Sequence, residues 1–192
     1  MREVPEVTFV LRRATEDDVP ALETLIPESA RGLGQPDYSA DQVEAALGNV
    51  WAVDRHLIQD GTFWIAEVSS EIVGCGGWSR RSTLVGAGLS TAGLAVQDPP
   101  YVLSPENDAA RMRAFFVHPR WARRGIGTAL LKKCEEEARA AGFRSVELLA
   151  TVPGQRLYAS RGYTAGKPYE FPLRQGLLHT VIPMSKRLDD RG

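Results

Sequence analysis

The chain has 192 residues, of which 43% are hydrophobic and 24% charged, the size and composition of one ordinary folded domain. That balance excludes an intrinsically disordered chain, and a domain this long buries roughly 70% of its unfolded surface, enough to hold a core without disulfides or metal. With 23 Lys+Arg against 24 Asp+Glu the net charge is −1, which excludes a bulk electrostatic pull toward nucleic acid or an anionic membrane.

The first strand is expected over residues 7–12, rich in β-branched and aromatic side chains. Thr15-Glu16-Asp17-Asp18 supplies helix-start chemistry, because side-chain oxygens cap free amides and acids suit the positive helix end. Val19, Leu22, Leu25 and Ile26 then make one apolar stripe, with Pro20 in the tolerant first turn. A short helix follows over 39–47, capped by Ser39. Residues 62–68 and 72–79 read as a hairpin, and Gly74, Gly76 and Gly77 predict a bulge or close backbone approach in its second strand. Residues 82–108 carry many Gly and Pro with weak periodicity and read as a long insertion, not a domain boundary.

The clearest strand is 110–117, closed by His118-Pro119. The clearest helix is 125–141, with Ile126, Leu130, Leu131, Cys134 and Ala138 on one face and the charge run 132–137 on the exposed face. A strand over 145–151, a helix over 153–161 and strands over 163–171 and 179–186 complete an α/β order. The strand–helix–strand run from 110 to 151 implies a parallel pair. Two cysteines far apart, Cys75 and Cys134, predict neither a zinc site nor a disulfide framework. The start of the sequence has no apolar leader and no 18-residue apolar run occurs, so the expected setting is cytoplasmic, with no membrane partner.

Chemistry concentrates at Arg123-Arg124-Gly125-Ile126-Gly127-Thr128, where a strand has ended and a helix begins. Glycines there let a ligand approach bare amides, and the positive helix end with two arginines suits a diphosphate. The dipole alone contributes about 0.3–1 kcal/mol, so amide hydrogen bonds and arginines must supply most of the affinity. Thr128-Ala129-Leu130 lacks the lysine of a Walker A loop, and Leu130 stands where a dinucleotide fingerprint wants glycine or alanine.

Phe-Phe-Val-His-Pro (115–119) followed by Arg-Arg-Gly-Ile-Gly-Thr-Ala-Leu-Leu (123–131) resembles the acetyl-coenzyme A site of GCN5-related N-acetyltransferases, the GNAT superfamily. Gly125 and Gly127 fill both glycine positions of the motif Q/R-x-x-G-x-G/A, and Ala122 stands where Gln or Arg is usual. Leu157-Tyr158-Ala159-Ser160-Arg161-Gly162-Tyr163 resembles a second family segment, and Thr151 stands where many members carry asparagine. The resemblance implies a single domain over 1–192 with a mixed, mostly antiparallel twisted sheet of about seven strands and helices on both faces. It implies an N-acetyltransferase using acetyl-CoA as cosubstrate and no metal, as a monomer or homodimer, acting on a small-molecule or peptide amine.

By the same resemblance, backbone groups of Phe115, Phe116 and Val117 hold the pantetheine arm, and one of those amides polarises the thioester. Residues 123–128 wrap the diphosphate, and Tyr158 protonates the departing thiolate. The alternative is a CoA-binding sensor without catalysis. Asp108, Glu147, Glu170 and His179 are the candidate bases, and the sequence does not choose among them.

Overall fold

The computed structural model describes residues 8–35, 37–48, 50–83 and 101–188. Among the described residues eight strands form one sheet: β1 (Val10–Arg13), β2 (Phe63–Val68), β3 (Glu71–Ser79), β4 (Ala110–Val117), β5 (Ser145–Thr151), β6 (Thr164–Ala165), β7 (Tyr169–Pro172) and β8 (Leu178–Arg187). Their order is β1-β2-β3-β4-β5-β8-β6, with β7 also paired to β8. Every pairing is antiparallel except β4 with β5. Helices α1 (Val19–Gly34), α2 (Ala40–Ala46) and α3 (Arg55–Gln59) pack on one face, α4 (Ile126–Ala140) and α5 (Gln155–Ser160) on the other.

The long periodic segments form as their patterns predict. β4 and β5 have the expected bounds, and α4 starts and stops one residue inside its expected ones. Three elements differ. The first strand runs from Val10, and residue 7 lies outside the described residues. The single strand expected over 163–171 is two, because Gly166-Lys167-Pro168 interrupts the ladder, which raises the strand number to eight. Helix α3 was not expected: five residues carry no periodic signal, and Asp54 starts it by accepting the Leu57 amide at 3.3 Å. Of the insertion, 84–100 lie outside the described residues; 101–108 return beside β3 through an Arg81–Val102 bridge, with Leu103 buried.

The charge run on α4 is not uniformly exposed, contrary to the sequence expectation. Glu135 is buried and pairs with Lys186 at 2.7 Å. Glu137 accepts hydrogen bonds from Trp64 Nε1 at 2.9 Å, Trp78 Nε1 at 3.1 Å and Arg13 at 2.9 Å. Three donors hold its pKa below the ordinary carboxylate range against partial burial, and they tie α4 to β1, β2 and β3.

Two irregularities open the sheet. Between the pairs Cys75–Phe116 and Gly77–Arg113, β3 spends one residue, Gly76, and β4 spends two, Ala114 and Phe115. The extra residue is on β4 and not on β3, where the glycines had predicted a bulge or a close approach, and Ala114 takes a left-handed φ of 60° to make it. A side chain at Gly76 would collide with the Phe115 ring, so glycine is required there. Second, the parallel ladder between β4 and β5 has only two pairs, Ala110–Val146 and Arg111–Glu147. Beyond them the strands part, and the gap between their carboxyl ends becomes the cleft. Among the described residues no helix is long and apolar enough to cross a membrane.

Candidate active site

The cleft has a volume of about 670 Å³ and is lined by two groups of elements. One is the end of β4, the turn 121–125, the start of α4, and α5. The other is α1, Tyr38, the segment 50–54, β7 and β8.

The first group is built from the sequence motif. Arg123 at φ 64° and Gly125 at φ 85° coil the chain tightly enough to bring the start of α4 under the end of β4. Gly125 is the N-cap of α4 and offers no side chain to its amides, and the first turn holds no acidic residue. A helix start with neither cap nor carboxylate, facing a cleft, has the donor set that a diphosphate needs. Phe115, Phe116, Val117, Arg123, Gly125, Ile126, Gly127, Thr128 and Tyr158 all line this cleft. Arg124 does not; its guanidinium lies over the Trp121 ring, 5.2 Å from the centroid. Arg156, two residues before Tyr158, lines the cleft and was not singled out from sequence.

Tyr158 is 8% exposed, with its ring edge-to-face against Phe115 and Tyr163 at 6.3 and 5.7 Å. Burial raises its pKa above the ordinary phenol value, so at neutral pH it stays a hydrogen-bond donor. Near the bulge, Val117 donates its amide to Ser29 Oγ at 3.1 Å, and the Cys75 thiol donates to the Ala114 carbonyl at 3.4 Å. Thr151 lines the cleft and accepts the Gly154 amide at 3.2 Å.

The second group is largely apolar. Its charge sits in one buried ion pair: Asp54 Oδ2 lies 2.7 Å from Arg113 Nε, at an angle too poor for a hydrogen bond. Arg113 also donates to the Thr83 carbonyl and hydroxyl at 2.6 and 2.7 Å. Of the four candidate bases only His179 reaches the cleft. Asp108 accepts the Ser104 amide at 2.8 Å, Glu147 pairs with Arg111, and Glu170 accepts the Thr180 hydroxyl at 2.7 Å. His118 has the strand-end role expected of it, accepting the Arg120 amide. Cys75 and Cys134 are buried; burial pushes the Cys75 thiol up to about 12 and raises Cys134 well above its usual value, so neither is a thiolate nucleophile at neutral pH.

A bulged central strand, its splayed parallel neighbour and an uncapped helix start define an acyltransferase-type cleft. Residues 28–163 match the acetyltransferase (GNAT) family, and the chain belongs to it. No curated protein matches the sequence. Among solved structures, a GCN5-related N-acetyltransferase from Rhodopseudomonas palustris is 22% identical, with a TM-score of 0.68 over 97% of this chain and 99% of that one. PaiA N-acetyltransferase from Thermoplasma acidophilum, in complex with coenzyme A, is 14% identical, with a TM-score of 0.64 over 94% and 99%. YncA from Salmonella typhimurium, solved with acetyl-CoA, is 16% identical, with a TM-score of 0.59 over 96% of each chain. At these identities the likeness is one of fold.

Proposed function

We propose that the chain acts as a single domain that transfers the acetyl group of acetyl-CoA directly to a primary amine. The observation that carries this is the continuity of one cleft from the uncapped start of α4, past Tyr158, to an apolar chamber beyond the β4 bulge. The coenzyme A of PaiA and the acetyl-CoA of YncA support the choice of cosubstrate.

Acetyl-CoA supplies a thioester, whose C–S bond breaks as the amine nitrogen forms the new C–N bond. The amides at the start of α4, with Arg123 and Arg156, hold the diphosphate. One of the backbone amides of Phe115, Phe116 and Val117, beside the bulge, donates to the thioester oxygen. Tyr158 donates to the leaving sulfur. A phenol near pKa ~10 is a weaker acid than a thiol near ~8.5, so full transfer costs at least about 2 kcal/mol unless the proton lost by the amine replaces it. Tyr158 therefore works as a hydrogen-bond donor and proton relay.

Tyr158→Phe is expected to lower kcat about 100-fold while leaving the Kd for coenzyme A within about twofold. Thiol release gives the first quantity and isothermal titration the second. Unchanged turnover would remove Tyr158 from the chemistry. Titration with coenzyme A, ATP and NAD tests the ligand itself, and tight coenzyme A binding without turnover across polyamines, amino acids, aminoglycosides and peptide N-termini would favour a sensor instead.

A further inference from the structure

The chamber beyond the bulge holds a buried imidazole that nothing in the fold accounts for. His179 is 1% exposed, it lines the cleft, and neither ring nitrogen has a hydrogen-bond partner among the described residues. A buried polar group left unpaired costs about 1–3 kcal/mol, so its persistence asks for a reason. The ring is also fixed. Tyr38 lies against it at 4.3 Å and 34°, and Trp51 meets it edge-on at 5.0 Å. Tyr38 is itself pinned, donating to the Thr180 carbonyl at 2.9 Å and accepting the Val152 amide at 2.8 Å. A polar group held rigid beside a cleft, with both ring nitrogens buried and unpaired, is prepared for a ligand that reaches it by a small shift of the wall.

The rest of the chamber describes that ligand. Leu33, Val50, Trp51, Phe171 and Val181 give it an apolar wall. Among the described residues that line the cleft the sole carboxylate is Asp54, already tied to Arg113 and the Leu57 amide. The other charges there are arginines. An ammonium ion entering would lose its hydration and find no free counter-charge.

Resting on the acetyltransfer reading, we propose that this chamber receives a weakly basic primary amine on an apolar body, uncharged on arrival, and that His179 hydrogen-bonds it there. His179 is a positioning contact and not a proton store: burial lowers its pKa to about 4, opposed by Glu170. The proton that the amine loses leaves with the sulfur through Tyr158. Atoms balance as amine plus thioester giving amide plus thiol.

The test compares L-phenylalaninamide, glycinamide, Nα-acetyl-L-lysinamide and spermidine at pH 7 with acetyl-CoA. At pH 7 an α-amine near pKa ~7.8 is neutral roughly 340-fold more often than a lysine amine near ~10.4, and kcat/KM is expected to follow that ratio or exceed it. Phenylalaninamide should exceed glycinamide at least about 10-fold, the effect of burying its ring. His179→Leu should lower kcat/KM for phenylalaninamide about 30-fold with the Kd for coenzyme A within about twofold, and His179→Asn or His179→Gln should restore part of it. Independently of turnover, the chain has three histidines, and phenylalaninamide added to the coenzyme A-bound protein should shift the ring resonance of His179 in NMR spectra.

Preference for spermidine or the lysine amine would overturn the proposal. So would acetyl-CoA binding without turnover of phenylalaninamide, an unchanged His179→Leu enzyme, or an unmoved His179 resonance. These leave coenzyme A binding intact, whereas failure to bind coenzyme A at all would overturn the acetyltransfer reading beneath it.

Discussion

Gly127→Glu is expected to weaken coenzyme A binding at least about 100-fold, or about 2.7 kcal/mol, while leaving the fold as stable as before or slightly more so. Gly127 is the second residue of α4 and lines the cleft. A Cβ there would lie 3.2 Å from Leu157 Cδ2 and 3.7 Å from Val117 Cγ2, contacts that a leucine side chain relieves by turning. A carboxylate in the first turn stabilises a helix by about 0.3–1 kcal/mol, because it neutralises the amides at that end. Those are the amides assigned to the diphosphate, so the substitution separates binding from stability. Titration calorimetry beside thermal unfolding reads both. Undiminished affinity would put the diphosphate elsewhere and remove the basis of the acetyltransfer reading.

Asp54→Ala is expected to cost about 3–5 kcal/mol of folding stability, since it strands the Arg113 guanidinium in the interior. The two side chains are 0% and 5% exposed, and Asp54 also caps α3. Burial already lowers the Arg113 pKa, against the attraction of Asp54. Asp54→Asn keeps the cap and loses the charge, so it should fall between alanine and the parent. Adding Arg113→Met to Asp54→Ala should recover most of the loss. Urea unfolding at pH 7 measures all four proteins. A loss below about 1 kcal/mol for Asp54→Ala would show that the pair contributes little to folding.

The sequence made the nucleotide side of the cleft legible because that side is local. Strand, turn and helix follow one another from Ala110 to Ala140, and the glycines that shape the turn are its signature. The chamber side was not legible. Tyr38, Trp51, Asp54, Arg113 and His179 come from four separate stretches, and the sheet and the packing of α1 and α2 bring them together. His179 stood among four candidate bases with nothing in its spacing to favour it. Glu137 shows a different limit: it stands seven residues after Leu130 and three after Cys134, on the core stripe, but its charge placed it on the exposed face in the sequence reading, and its carboxylate reaches indole donors on two strands. Arg124 shows that adjacency in a motif is not adjacency in space, since one step along the turn carries its side chain away to Trp121.

The four tryptophans fall into two pairs with different surroundings. Trp64 and Trp78 are clamped by Glu137, while Trp51 and Trp121 line the cleft. Intrinsic emission should therefore separate into two optical reporters. Titrating coenzyme A should quench the cleft pair and leave the clamped pair unchanged, and denaturant should release the latter. Replacing both tryptophans of one pair by Phe would make the other pair readable alone, and the parent protein would then report occupancy and unfolding in one unlabelled sample.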